Sequence, residues 1–257
     1  MASEPRYRGI IATEDVDFMK EIPKGTFVTL NAINKFGSSP KIDDGDTWAV
    51  WDGASAYTWP TTASITHLRS AVDSAITQGV IVQIQGLDTN YDLVIQEITT
   101  DNSDSTTEVV LTTALRRVFR MKVLDDTTMD EDLWVGPTGF ASKQGIIQAG
   151  NNKTLMAIYT VPARCTAYIT NYYFDYVRDS VKDPDGINFS LWFRDNTNGY
   201  ASQLKHQKGI PKQASGFQHF FKPYYKATEK TDIFVTGTPD GADAHCHAGF
   251  DIILETN

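Results

Sequence analysis

Three adjacent residues near the end of the chain, His245, Cys246 and His247, are the most suggestive chemistry in the sequence. On an extended strand, alternate side chains point to opposite faces, so the two imidazoles share one face and the thiol takes the other. Two imidazoles on one face can chelate zinc. A structural zinc site needs four ligands, however, and a catalytic one needs three plus water. Asp240 and Asp243 are nearby carboxylates in a turn, and no second Cys/His cluster completes the set. The expectation is polar strand residues and no metal.

The acidic stretches KIDDGD, DPDG and DNTNG resemble calcium loops, which need oxygen ligands at positions 1, 3 and 5, Gly at 6 and Glu at 12. Aligned on Gly45, positions 1 and 3 are Pro40 and Ile42. Aligned on Gly186, positions 1 and 12 are Val181 and Trp192; aligned on Gly199 they are Arg194 and Lys205. All three fail and read as Asp/Asn/Gly turns. No G-x-S-x-G elbow and no glycine-rich phosphate loop occurs, and neither Cys165 nor Cys246 sits in a nucleophile signature. A glycosidase-type carboxylate pair is defined by a spatial separation that order along the chain does not reveal. The reading is therefore no catalytic residue, no cofactor and no enzyme, with the two cysteines as buried free thiols.

The formal charge is −9, from 23 Lys/Arg against 32 Asp/Glu, which argues against a grip on nucleic acid. The most basic stretch, KHQKGIPKQ from Lys205 to Gln213, reads as a solvated loop or as a patch meeting an acidic partner. Asn152 and Asn188 match the glycosylation pattern, which means little without a secretory signal. The first residues lack a basic start with an apolar core, and no apolar run approaches the roughly 20 residues of a membrane helix. A protein made in the cytoplasm, outside any membrane, is expected.

The segment DGDTWAVWDGASAYTWP, Asp44–Pro60, holds Trp48, Trp51 and Trp59, three of the five tryptophans, plus Tyr57. Either these rings plug one end of a sandwich of their own chain, or they anchor an interface, where aromatics are enriched. The interface reading takes Trp48, Trp51, Tyr57 and Trp59, with Phe36, as contact residues.

The elements that carry these residues read as all-β. Thirteen Phe, eleven Tyr and many Thr and Val favour strands. Residues 1–60, with one strand at Thr26–Ile33 between turn signals, read as an extended N-terminal arm. Residues 61–127 read as a small antiparallel β-sandwich. Its opening stretch is either a helix with an Ile65, Leu68, Val72, Ile76 stripe or a strand SITHL, and Val80, Val82 and Ile84 oppose Gln83 and Gln85. Residues 128–152, acidic and then Gly-rich, read as a linker. Residues 153–257 read as a jelly-roll-like β-sandwich. There Ile187, Phe189, Leu191 and Phe193 alternate with Asn188, Ser190, Trp192 and Arg194, and Pro162 breaks a run in two.

Five stretches in this order, NKFGSSPKID, VWDGASAYTWP, IQGLDTNYDLVIQEIT, NKTLMAIYTVPARCTAYITNYY and KTDIFVTGTPDGADAHCHAGFDIIL, resemble a group of tailed-bacteriophage virion structural proteins common in marine phages. Arg164 and Cys165 stand where that group more usually has Gly and Lys, which implies a different turn after Pro162. The resemblance implies a particle component present in many copies and located in the virion. The expected form is a homotrimeric head decoration, or cement, protein that binds the major capsid protein. A tail, baseplate or fibre-associated structural or host-binding part is the alternative. Partners would be further copies of itself and other virion proteins, with no nucleic acid and no membrane.

Overall fold

The computed structural model describes residues 17–177, 184–199, 201–212, 214 and 216–257. A one-turn helix, α1 (Phe18–Glu21), is capped by the Asp17 carboxylate. Next come β1 (Leu30–Ile42) and β2 (Trp48–Ala49). The middle of the chain forms β3 (Ile65–Ser70), β4 (Ile81–Leu87), β5 (Leu93–Thr99), β6 (Val109–Leu115), β7 (Arg117–Val123), β8 (Leu133–Gly136) and β9 (Gly145–Ile147). The last part forms β10 (Ile158–Thr160), β11 (Cys165–Val177), β12 (Gly186–Asp195), β13 (Gln203–Pro211), β14 (Phe217–Ala227), β15 (Thr231–Asp240) and β16 (Ala244–Thr256).

The protein is all-β, built as a large and a small two-sheet unit. In the large one, a sheet ordered β1-β16-β11-β14 faces a sheet ordered β10-β15-β12-β13, with β2 added on β15. Every pairing is antiparallel. The alternation read on β12 holds: Ile187, Phe189, Leu191 and Phe193 are buried, and Phe189 stacks on Phe174 of the opposite sheet at 4.5 Å. In the small unit, β6-β3-β8-β9 faces β5-β4-β7 around Ile65, Leu68, Val82, Ile84, Met121 and Leu133. Gln83 and Gln85 stay half-exposed opposite their buried neighbours.

Three sequence expectations change. First, residues 30–60 are not an arm. β1 is an edge strand of the large unit, registered against β16 from Leu30↔Glu255 to Ile42↔Ala244. It runs past Pro40 because an edge strand has a free side on which a missing N–H costs nothing, and the register shifts there. Ile42 and Val50 lie in the large core. Residues 1–16 of the expected arm fall outside the described residues. Second, residues 128–152 are not a linker. β8 pairs with β3, and β9 pairs with β8, so this segment completes the small unit. Third, SITHL is the strand, and Val72 and Ile76 of the alternative helical stripe are exposed in turns.

Arg164 opens β11 with φ 60°, the left-handed region that glycine occupies without cost. Its backbone N–H donates to Glu229 Oε2 at 2.6 Å, and its guanidinium pairs with Asp92 at 2.6 Å. These partners hold a non-glycine residue in that turn.

Candidate functional site: the outer face of the four-stranded sheet

The five residues read as interface anchors separate into two environments. Trp51 is 2% exposed and Tyr57 is also buried. They join Ile146 from the small unit and Phe234 from the large one, with Trp59, Trp134 and Trp192 packed around them. Trp48 packs against the large core. The aromatic segment is thus the filling between the two units of this chain, and its rings meet at 4.8–5.1 Å in edge and tilted contacts. Trp51 folds back onto Gly53, where a Cβ would come 2.0 Å from the ring, and its indole N–H donates to Ser55 O at 2.8 Å. Burial within the chain removes Trp51 and Tyr57 as contact surface for another molecule.

A buried ion network lies beside this filling. Asp232, fully buried on β15, accepts from Arg117 of β7 at 2.9 and 3.2 Å and from Arg194 at 3.0 and 2.5 Å. Thr160 and Asn196 donate to it as well. Burial alone would raise this carboxyl, but the hydrogen bonds and charge of Arg117, with Arg194, hold it below the usual range. Arg194 also lies over the Trp59 ring at 4.2 Å. Every oxygen of the carboxylate is satisfied, so the network serves as a structural tie between the two units.

Phe36 is different: it is 42% exposed. On β1 the alternation sends Lys35 inward and Phe36 outward, onto the outer face of the β1-β16-β11-β14 sheet. There it stacks on His247 at 5.9 Å and an interplanar angle of 14°. Tyr173 of β11 lies on the same face, across Gly249, where a Cβ would meet its hydroxyl end at 2.4 Å. Its hydroxyl donates to Lys35 O at 3.4 Å. A depression of about 290 Å³ opens between Phe36, Tyr173, Phe217 and His247. On β14, Phe221 and Tyr225 face the core, so Phe220, at 59% exposed, and Tyr224, at 44%, point outward. The face presents aromatic rings on a rigid backbone with polar neighbours such as Asn34, Asp175 and Gln218. Such a surface suits a protein contact, with apolar anchors and a polar rim.

His245 and His247 share a face as expected, with ring centroids 4.5 Å apart. His245 Nε2 hydrogen-bonds Ser38 Oγ at 2.9 Å, and burial, then the neighbouring His247, lowers its pKa. Among the described residues no group of three His, Cys, Asp or Glu is placed to hold a metal ion. The acidic turns are tied internally: Asp243 accepts from Asp44 N and pairs with Lys41, and Asp195 accepts from Thr197 N and Asn198 N. Both cysteines are free and buried. The basic stretch is mostly strand β13, not a loop; Lys205 lies over Phe193 and Tyr225, Lys208 over Phe217, and Lys212 pairs with Asp185. Gln213, at its end, lies outside the described residues.

Tyr173, Phe220 and Tyr224 are contact candidates that the sequence reading did not single out. Strand parity alone could have placed Phe220 and Tyr224 opposite Phe221 and Tyr225. Which parity faces water depends on the register shift between Ile169 and Asn171, where β14 meets β11.

No protein-family model and no curated protein matches this sequence.

Proposed function

We propose that this protein is a non-enzymatic structural component of a tailed-phage particle that works by adhesion. In its most specific form it is a homotrimeric head decoration protein that binds and reinforces the capsid shell. The resemblance of five ordered stretches supports the phage assignment, and the exposed aromatic face of the four-stranded sheet carries the adhesive reading. Phe36, Phe220 and Tyr224 stand in water on a sheet whose strands are fixed by pairing. Covering apolar surface gains roughly 25 cal/mol per Å², against which association costs must be set. One such contact is modest, and repetition over a lattice of subunits multiplies it. The expected copies of itself and the shell protein are the partners that would cover this face.

The test is a triple substitution, Phe36→Ser, Phe220→Ser and Tyr224→Ser, all at exposed positions. Sedimentation should show the wild-type chain as a trimer and the variant as a weaker assembly with unchanged circular dichroism. Binding to emptied capsid shells should fall with it. A wild-type chain that stays monomeric and ignores shells would end this proposal, as would a variant that decorates shells at full occupancy. Copy number per particle separates the shell reading, with many copies, from the tail or baseplate reading, with few.

A further inference from the structure

A second cleft, of about 350 Å³, opens where β1 crosses β7 and the segment leading into β10. Lys35, Arg120, Lys153 and Gln85 line it, with Phe36 and Phe119 as aromatic walls. Lys35 is 8% exposed, and its ammonium donates to the Phe119 carbonyl. Arg120 and Lys153 are exposed at the rim. Among the described residues, none of these three cations is ion-paired. Gln85 pairs with Arg120 across β4 and β7, which places an amide beside the guanidinium.

A buried ammonium with no ion-paired carboxylate is costly unless something else supplies the charge; Asp52 is near enough to act on Lys35 but does not pair with it. Here it lies in a cleft open to solvent, under two further unpaired cations, in a chain of net charge −9. We propose that this cleft binds a compact organic anion through its carboxylate or phosphate group, with Lys35 at the floor and Arg120 and Lys153 at the rim. A guanidinium fork and two ammonium groups match either oxyanion. The volume leaves room for a small body against the aromatic walls. Phe36 borders both this cleft and the outer-face depression, but Lys35, Arg120 and Lys153 line the cleft alone, so anion binding is read out independently of adhesion.

Protonation gives a second readout. Burial, then Arg120, pushes the Lys35 ammonium down to about 7, with Asp52 opposing. Tyr159 and Tyr173, raised by burial, stay neutral over this range. Burial pushes Asp52 up to about 8, so it loses negative charge over the same interval. Both titrations make the cleft more positive as pH falls, so binding tightens between about pH 8 and about pH 6.

Isothermal titration calorimetry on the full chain with sulfate and benzoate tests this, since neither probe titrates in that range. Chloride at matched ionic strength is the background. The expected result is saturable one-to-one binding of at least one probe, tighter at the lower pH. The Arg120→Ser and Lys153→Ser double variant should weaken it by about tenfold or more. Lys35→Met should do the same while still melting cooperatively, and Lys222→Ser on β14 should not. Sulfate preference would indicate a tetrahedral phosphate-like group, and benzoate preference a carboxylate. Heat no greater than chloride for both probes, or undiminished affinity in the double variant, would overturn the proposal.

Discussion

Replacing Asp232 with Asn probes the tie between the two units. The swap keeps the shape and removes the charge. If the new amide nitrogen stands where Oδ2 was, four donors face it: Arg117 Nη2, Arg194 Nε and Nη2, and Asn196 Nδ2. The Arg117 side chain, 3% exposed, is left as a buried cation without a counter-charge. Removing one partner of a buried pair costs about 3–5 kcal/mol. In a chain of this size about 2–4 °C of Tm follows each kcal/mol, so Asp232→Asn should melt roughly 6–20 °C below wild type near neutral pH. The Asp232 carboxyl is held low in the folded state. Its stabilisation is therefore fully present above the unfolded carboxyl pKa of about 4, and it is lost as pH falls through the lower folded value. The gap between variant and wild type should narrow in acid. Differential scanning calorimetry at several pH values measures both effects. A variant that melts within about 2 °C of wild type at neutral pH would show that the network contributes less than about 1 kcal/mol, and the reasoning would fail.

Two further outcomes follow from burial. Deleting residues 1–60 should abolish cooperative folding and not merely attachment, because β1, Ile42, Val50 and Trp51 are built into the core; a sharp thermal transition in the truncated chain would contradict this. Asp52, whose Oδ2 accepts from Leu155 N at 2.5 Å, has its carboxyl raised to about 8 by burial. A raised acid contributes stability that is complete below the unfolded value of about 4 and lost as pH rises through the folded one. Asp52→Asn should thus gain on wild type in chemical denaturation as pH climbs from about 5 to about 9, and parallel profiles would refute the assignment.

Local pattern was readable where one strand decides its own fate. The β12 alternation and the Val80, Val82, Ile84 face needed only a period of two and a core on one side. Turn chemistry was readable too, because Asp and Asn cap the residues just after them, as Asp88 does for Asn90 and Asp92. The aromatic segment was not readable, since a cluster of tryptophans satisfies an interface and an internal seam equally well. The seam was decided by Ile146, Trp134, Trp192 and Phe234, which come from distant stretches. The candidate site divided in the same way: Phe36 could be nominated alone, whereas its neighbours Tyr173 and His247 join it only through β16.

Composition and residue order by themselves determined the all-β class, the alternating faces of β4 and β12 and the lack of a calcium-loop pattern, because strand alternation and loop spacing are set within a few adjacent residues. Tertiary structure alone decided that residues 30–60 belong to the large sandwich, that residues 128–152 complete the small one, and that Lys35, Arg120 and Lys153 share a cleft. Those outcomes rest on pairing between strands far apart in the chain, for which no local period exists.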